Sequence, residues 1–162
     1  MLIIRKAAAG DLPAIVDIYN EAVLNTVATF DTVPRTLEQQ EAWFEQHGDA
    51  YPVLVAEVDG IVIGWASLNQ YSDRLAYART AELSLYIHEG HRGQGTGKKL
   101  FEALLEAGRE AGLHTVLSRI VEGNDNSIHI HHLYGFDTVG TMRQVGFKFG
   151  RMLDVILLQK ML

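Results

Sequence analysis

The sequence predicts a mixed α/β fold built on a mostly antiparallel sheet. Apolar and helical segments alternate in the order strand, two helices, three strands, helix, strand, helix, two strands. The runs 52–58 and 61–68 are separated only by Asp59-Gly60, a pair typical of tight hairpin turns. The glycine cluster at 93–97 lies past the middle of the chain, whereas a dinucleotide-binding fold has its glycines in the first turn. The 162 residues suit one domain, spanning 1–162.

The first half of the chain supplies two helices after a short strand at Leu2–Arg5. Asp11 is expected to cap the first helix, whose apolar residues recur at helical spacing. Thr36 with Gln39 three residues later forms a capping-box pattern at the start of the second helix.

The second half begins with a strand at Thr80–His88 that alternates strictly between two faces. Ala81, Leu83, Leu85 and Ile87 fall on the apolar face, and Glu82, Ser84, Tyr86 and His88 on the polar one. A helix is predicted over 97–111, ended by Gly112. The remaining predicted elements are a strand at 115–121, a helix at 126–134, and strands at 136–143 and 151–158.

The composition excludes several classes of protein. Hydrophobic residues make up 48% and charged residues 21%, as in ordinary globular proteins. The absence of cysteine excludes disulfides, thiolate zinc sites and a cysteine nucleophile. No apolar run approaches the roughly 20 residues of a membrane span, and a net charge of −6 argues against nucleic acid as a partner. The N-terminus lacks the features of a signal peptide, so we expect a cytoplasmic protein.

The glycine cluster belongs to a segment between a strand and a helix, which predicts an anion site. Glycines let successive backbone N–H groups turn toward one anion, and the helix N-terminus adds partial positive charge. The alternative is a surface loop whose glycines only cap the helix, and the spacing is not that of a Walker loop. The segment consists of Arg92, Gly93, Gln94, Gly95, Thr96, Gly97 and Lys98.

Arg92, Gly95 and Gly97 match the signature Arg/Gln-x-x-Gly-x-Gly/Ala, so the chain resembles the GCN5-related N-acetyltransferase (GNAT) superfamily. Over nearly its whole length it is similar to the phosphinothricin and methionine sulfoximine N-acetyltransferase branch. The matching segments are 18–20, 80–87, 91–95, 124–136 and 144–151. The resemblance implies a mostly antiparallel seven-stranded sheet with a splayed central strand pair, acetyl-CoA as co-substrate and a homodimer.

The resemblance also implies roles for residues of the donor site. Backbone amides of Leu85, Tyr86 and Ile87 would pair with the pantetheine arm, and one would polarise the thioester carbonyl. Asn124 would contact the same arm. The family's tyrosine position, which protonates the leaving thiolate, falls on His131 in this sequence rather than on Tyr134.

Glu82 is the candidate general base, a role that the resemblance assigns to it. A protonated amine must lose a proton before it attacks a thioester, and a nearby carboxylate meets that need. The alternative is a solvated or salt-bridged strand glutamate. By resemblance, the acceptor would contact Ser72, Asp73, Arg74, Glu82, Leu83, Ser84, Gln144, Val145 and Gly146. An acceptor carboxylate calls for arginine or backbone donors, although Arg74 and Arg79 also suit plain surface charge.

The histidines near the C-terminal end of the chain do not predict a metal site. On a helix His129 and His132 share a face but His131 does not, and no carboxylate completes a ligand set. The expected activity is therefore acetyl-CoA-dependent, metal-free acetylation of the α-amine of a glutamate-like amino acid, such as phosphinothricin or methionine sulfoximine. Direct attack in a ternary complex is favoured because there is no cysteine. Open alternatives are a polyamine, aminoglycoside or protein N-terminus as acceptor, or a non-catalytic acyl-CoA-binding module.

Overall fold

The computed structural model describes all residues from Met1 to Leu162 and contains seven strands and four helices. The strands are β1 (Leu2–Lys6), β2 (Val53–Val58), β3 (Ile61–Gln70), β4 (Thr80–Ile87), β5 (Thr115–Val121), β6 (Asp137–Lys148) and β7 (Arg151–Met161). The helices are α1 (Leu12–Asn25), α2 (Leu37–His47), α3 (Thr96–Glu110) and α4 (Asp125–Leu133). The order of elements agrees with the sequence prediction.

All seven strands join one sheet in the order β1-β2-β3-β4-β5-β7-β6. Every neighbouring pair is antiparallel except β4 and β5, which run parallel. The predicted mixed, mostly antiparallel seven-stranded sheet is therefore confirmed. None of the helices combines the length and the apolar character that crossing a bilayer requires.

Each face of the sheet carries its own apolar core, because residues alternate between the two faces of a strand. The apolar stripe of α3 packs on one face with Ala81 and Leu83 of β4. On the other face α1 packs against Val55 and Trp65, with Tyr86 of β4 beside them. Helices on both faces hold β4 in a fixed position.

The local turn and cap signals were mostly right. Asp59 and Gly60 form the hairpin turn with φ values of 51° and 81°, and Thr36 and Gln39 form the reciprocal capping box. Asp11 occupies the N-cap position of α1 as predicted, but its side chain does not cap the helix. Its carboxylate accepts hydrogen bonds from the Arg5 guanidinium at 2.7 and 2.9 Å and from the Ala8 amide at 2.8 Å. The hydrogen bonds from Arg5 lower the pKa of Asp11 and hold its carboxylate away from the first amides of α1.

The C-terminal hairpin is longer than predicted. β6 extends to Lys148 instead of Arg143, and β7 to Met161 instead of Leu158. Between Met142 and Gly146 the register shifts, because residues bulge out of β6. A bulge interrupts the alternation of apolar and polar residues from which a strand is predicted. The predicted strand therefore ends at the bulge, short of the true end of β6.

The parallel pair β4–β5 is the shortest pairing in the sheet. Only Thr80, Ala81 and Glu82 pair with Thr115, Val116 and Leu117. β4 nevertheless stays paired with β3 as far as Ile87, and β5 with β7 as far as Val121. The two central strands therefore diverge after Glu82 and Leu117.

Candidate active site

A cleft of about 860 Å³ opens where β4 and β5 diverge, and we call it the main cleft. Backbone groups of residues 83–87 that point toward β5 have no strand partner there, since pairing with β5 stops at Glu82. Most of the predicted donor-site residues line this cleft: Leu85, Tyr86, Ile87, Arg92, Gly93, Gly95, Thr96, Gly97, Lys98, Asn124 and His131. Gln94 does not. Leu83 and Ser84, predicted to contact the acceptor, also line it.

Tyr86 faces the main cleft with its backbone only. Its ring packs edge-on against Tyr19 at 5.3 Å and lies 5.1 Å from Trp65 in the core below the sheet. Burial raises the pKa of the Tyr86 hydroxyl. The phenol therefore stays neutral, and the residue's contribution to the cleft is its main chain.

The N-terminus of α3 opens into the main cleft without a side-chain cap. Gly95 occupies the N-cap position with φ 83°, and no side chain accepts from the first amides of the helix. Gly93 also has positive φ, at 76°, which turns the preceding loop around the helix start. Uncapped amides at the start of a 15-residue helix form an anion-binding site.

The lining of the main cleft is basic although the chain as a whole carries a net charge of −6. One acidic side chain, Glu122, lines it. The basic ones are Arg92, Lys98, Arg119 and Arg151. The cleft therefore suits a polyanionic ligand.

The Arg92 guanidinium, unlike the Lys98 ammonium, is already engaged in an ion pair. It pairs with Glu21 of α1 at 2.8 Å and donates to the Ile87 carbonyl at 3.2 Å. These contacts tie the glycine segment to α1 and to the end of β4. Lys98, which has no ion-pair partner, is the charge left to meet an anion at the helix start.

His131 is buried on the inner side of α4, where its ring bonds to two partners. Nδ1 lies 2.7 Å from the Ser127 carbonyl, which can only accept, so Nδ1 carries the proton. Nε2, 2.8 Å from Ser118 Oγ, therefore accepts the serine hydroxyl proton. Desolvation lowers the pKa of His131, which keeps the imidazole neutral. Ser118 is thus the proton donor of this pair.

Asn124 and Tyr134 both have structural contacts at the ends of α4. The Asn124 side chain accepts from the Ser127 amide at 3.3 Å and caps the helix, while the residue also lines the main cleft. The partly buried Tyr134 ring packs at 5.3 Å from Phe101, against the core that α3 shares with the sheet.

A second cavity of about 500 Å³, which we call the side pocket, lies next to the closed end of the strand gap. Glu82 is its acidic residue, and Ser72 and Arg74 line it as predicted. The other lining residues are Tyr71, Tyr77, Leu117, Arg119, Met142 and Leu157. Glu82 Oε1 lies 2.6 Å from Arg119 Nη2. The salt-bridged alternative for Glu82 is therefore its state in this structure.

Four of the predicted acceptor residues lie outside both cavities: Asp73, Gln144, Val145 and Gly146. Gln144, in the β6 bulge, has φ 50° and donates its amide to Asp154 at 2.8 Å. The Phe30 ring covers Gly146 so closely that a Cβ there would meet ring carbons at 2.3 Å. Both residues therefore have structural contacts, and neither lines a cavity together with Glu82.

Ser118 and Arg119 line the main cleft but were not predicted from the sequence. They are adjacent polar residues in the otherwise apolar strand β5, the same signal that drew attention to Glu82 in β4. Because neighbours in a strand point to opposite faces, Ser118 reaches His131 and Arg119 reaches Glu82. No group of three or more His, Asp or Glu side chains is placed to hold a metal ion.

Comparison with known proteins identifies the family. The family model for the acetyltransferase (GNAT) family matches residues 14–136. The chain is 42% identical to the L-methionine sulfoximine/L-methionine sulfone acetyltransferase of Pseudomonas paraeruginosa, over 96% of this chain and 92% of that protein. The chain belongs to the GNAT family and is an N-acetyltransferase.

Two solved structures share the whole fold. A phosphinothricin acetyltransferase from Sinorhizobium meliloti in complex with acetyl-CoA matches with a TM-score of 0.95 and 36% identity, over 99% of this chain and 88% of that one. A ribosomal-protein-alanine N-acetyltransferase from Brucella melitensis matches with a TM-score of 0.95 and 42% identity, over 99% of both chains. The relatives thus share the fold and the class of reaction but have names that differ in the acceptor.

The buried pair of His131 and Ser118 gives a pH-dependent prediction. His131 binds a proton less readily in the folded protein than in the unfolded chain, because burial lowers the pKa of its imidazole from the ordinary value of 6.5. Stability contributed by neutral His131 is therefore complete above pH 6.5 and is lost as the pH falls below it. NMR titration should show the ring as the Nδ1–H tautomer at pH 7, with its midpoint below 6.5. A midpoint at or above 6.5 would contradict this assignment.

Proposed function

We propose that this single-domain chain acts in the cytoplasm as an acetyl-CoA-dependent N-acetyltransferase for the α-amine of a small glutamate-like amino acid. The single observation that carries the proposal is the divergence of β4 and β5 between an uncapped helix N-terminus and a carboxylate. The first feature suits the diphosphate of the donor. The second suits an amine that must lose a proton.

The donor is proposed to lie in the main cleft with its diphosphate at the start of α3. Amides of residues 93–98 and the Lys98 ammonium would hold the phosphate oxygens. The pantetheine arm would then run into the strand gap and pair with the free backbone groups of Leu85–Ile87. One of those amides would donate to the thioester oxygen, where negative charge develops during attack.

The chemical step is proposed to be direct transfer. Glu82 takes a proton from the acceptor ammonium, and the neutral amine attacks the thioester carbonyl. As the carbon–sulfur bond breaks, the nitrogen gives up a second proton, which passes to the leaving thiolate so that CoA leaves as the thiol. His131 would assist departure through Ser118 by orienting the serine hydroxyl, since the ring nitrogen that faces the serine carries no proton to supply. By turning its hydroxyl from His131 to the leaving sulfur, Ser118 would give that sulfur a hydrogen bond and keep its own proton.

The proposed acceptor rests on the side pocket and on the relatives. The pocket joins the candidate base to two arginines and two tyrosine rings that lie 5.2 Å apart. This lining suits a zwitterion better than a polycation such as a polyamine. A protein N-terminus is the second candidate, since the similar Brucella protein is described as a ribosomal-protein-alanine N-acetyltransferase.

Replacing the candidate base Glu82 distinguishes between an enzyme and a non-catalytic binding module. Glu82→Gln should reduce kcat by roughly 10²- to 10⁴-fold, because an uncharged amide cannot accept the ammonium proton. Affinity for acetyl-CoA, measured by calorimetry, should stay the same. Glu106→Gln, at the exposed pair with Arg109 on α3, is the control and should leave turnover intact. Unchanged turnover in the Glu82 variant would rule out its role as base.

The second prediction concerns Lys98 in the proposed donor site. Lys98→Ala should weaken acetyl-CoA binding about tenfold or more by removing a charge-assisted contact to the diphosphate. Acetyl-pantetheine, which lacks the diphosphate, should react equally well with the variant and the unmodified protein. If both donors lost activity together, Lys98 would have another role. Arg109→Ala is the matched cationic control on the same helix.

We also propose that the protein is a homodimer that pairs through the β6–β7 hairpin. β6 is an edge strand of 12 residues, and long exposed edges with apolar side chains favour association. Phe147 is 66% exposed on it. The other exposed apolar residues of the hairpin are Val139, Met142, Val145, Phe149 and Met152.

Phe147→Asp should convert the dimer to a monomer, because it places a charge in the centre of the apolar hairpin surface. Light scattering coupled to size-exclusion chromatography measures the mass. Val33→Asp, at an exposed residue outside the hairpin, should leave the dimer intact. Monomeric unmodified protein at micromolar concentration would contradict the proposal.

A further inference from the structure

Arg119 is the one charged side chain that lines both cavities. Leu117 pairs with Glu82 in the last register position before the strands diverge. Arg119 is two residues further along β5 and therefore projects from the same face of the sheet as Glu82. Its guanidinium stands where the strand gap, the side pocket and the candidate base meet.

The side pocket carries more positive than negative charge. Arg74 and Arg119 line it, and Glu82 is the single carboxylate opposite them. With Glu82 and Arg119 paired, one positive charge remains. A ligand with one ammonium and two anionic groups would balance this charge and a zwitterion would leave it unchanged, whereas a simple amine adds to the excess.

The ion pair between Arg119 and Glu82 can exchange one partner for another. The Arg119 side chain is 58% exposed and that of Glu82 25% exposed. Ion pairs at this exposure contribute little to stability, so exchanging one carboxylate partner for another costs little. Arg119 makes no second hydrogen bond that would hold it in place.

Geometry favours Arg119 over Arg74 as the partner of an acceptor carboxylate. In an α-amino acid the nitrogen and the carboxylate oxygens lie only about 3 Å apart, because one carbon separates the two groups. The group that binds the carboxylate must therefore adjoin the group that takes the proton from nitrogen. Arg119 Nη2 lies 2.6 Å from Glu82 Oε1, whereas Arg74 makes no contact with Glu82.

We propose that Arg119 binds the α-carboxylate of the acceptor and, by exchanging partners, releases Glu82 to act on the α-ammonium. This inference rests on the proposed function and names the residue that makes the site specific for amino acids. In the free protein Arg119 neutralises Glu82. An amino acid presents its own carboxylate to Arg119 and leaves Glu82 facing the ammonium. An amine without a carboxylate has to compete with Arg119 for the base.

The test compares two acceptors that differ only in the carboxylate: L-methionine sulfone and 3-(methylsulfonyl)propylamine. Arg119→Gln should lower kcat/KM for methionine sulfone roughly 10- to 100-fold, through loss of a charge-assisted contact. The same variant should raise kcat/KM for the amine several-fold, because Glu82 is no longer paired. The kcat/KM of Arg119→Lys for methionine sulfone should lie between the values of the unmodified protein and of Arg119→Gln, since a lysine keeps the charge but not the bidentate geometry.

Arg109→Gln, which breaks the exposed pair with Glu106, is the matched control and should change neither value. Thermal unfolding establishes that each variant is folded. Equal losses on both acceptors would show a structural role and overturn the proposal. An unchanged value for methionine sulfone would overturn it too, and would leave the acceptor assignment standing. If the unmodified protein acetylated a peptide N-terminus but neither probe, the proposed acceptor would be wrong and the role of Arg119 with it.

Discussion

The site depends on a parallel strand pair that ends after three residue pairs. Each of the two strands is paired along its outer side, β4 with β3 and β5 with β7, so neither can move to close the gap. Closing it would break seven register pairs on either side. The gap therefore persists as a rigid cleft with unpartnered backbone amides. Both α3 and α4 follow directly from these strands, which brings two helix N-termini to its wide end.

The two ends of the gap carry different charges, so each end suits a different kind of ligand group. The wide end combines the uncapped amides of α3 with the Lys98 ammonium and suits phosphate. The closed end holds the Glu82–Arg119 pair, which suits a zwitterion. The backbone between them bears no net charge and suits a neutral arm. Acetyl transfer from a coenzyme thioester to an amine needs these three features in the same order: an anion site, an uncharged stretch of backbone and a base.

Much of the fold could be predicted, because its signals are local. The Asp59-Gly60 turn, the Thr36 capping box and the α3 stripe each depend on neighbours in sequence. The errors arose where a side chain has a competing partner or where the regular pattern of a strand is interrupted. Asp11 bonds Arg5 instead of capping α1, and the β6 bulge hides the true end of that strand.

For the same reason, more of the residues predicted for the donor side than of those predicted for the acceptor side line one cavity. The glycine segment is contiguous, and its function follows from its position between strand and helix. Arg119 becomes a neighbour of Glu82 only through the parallel pairing of strands that are far apart in sequence. Gln144 and Gly146 were assigned by resemblance, but Asp154 and Phe30 engage them away from the side pocket.

The most direct test of the central claim is a screen of acceptors with the unmodified protein and acetyl-CoA, with CoA release as the readout. The panel would contain methionine sulfone, methionine sulfoximine, phosphinothricin, a polyamine, an aminoglycoside and a peptide with an N-terminal alanine. We predict the highest kcat/KM for the free amino acids, because only they bring both an ammonium to Glu82 and a carboxylate to the adjoining arginine. Turnover confined to the polyamine, the aminoglycoside or the peptide would contradict the account.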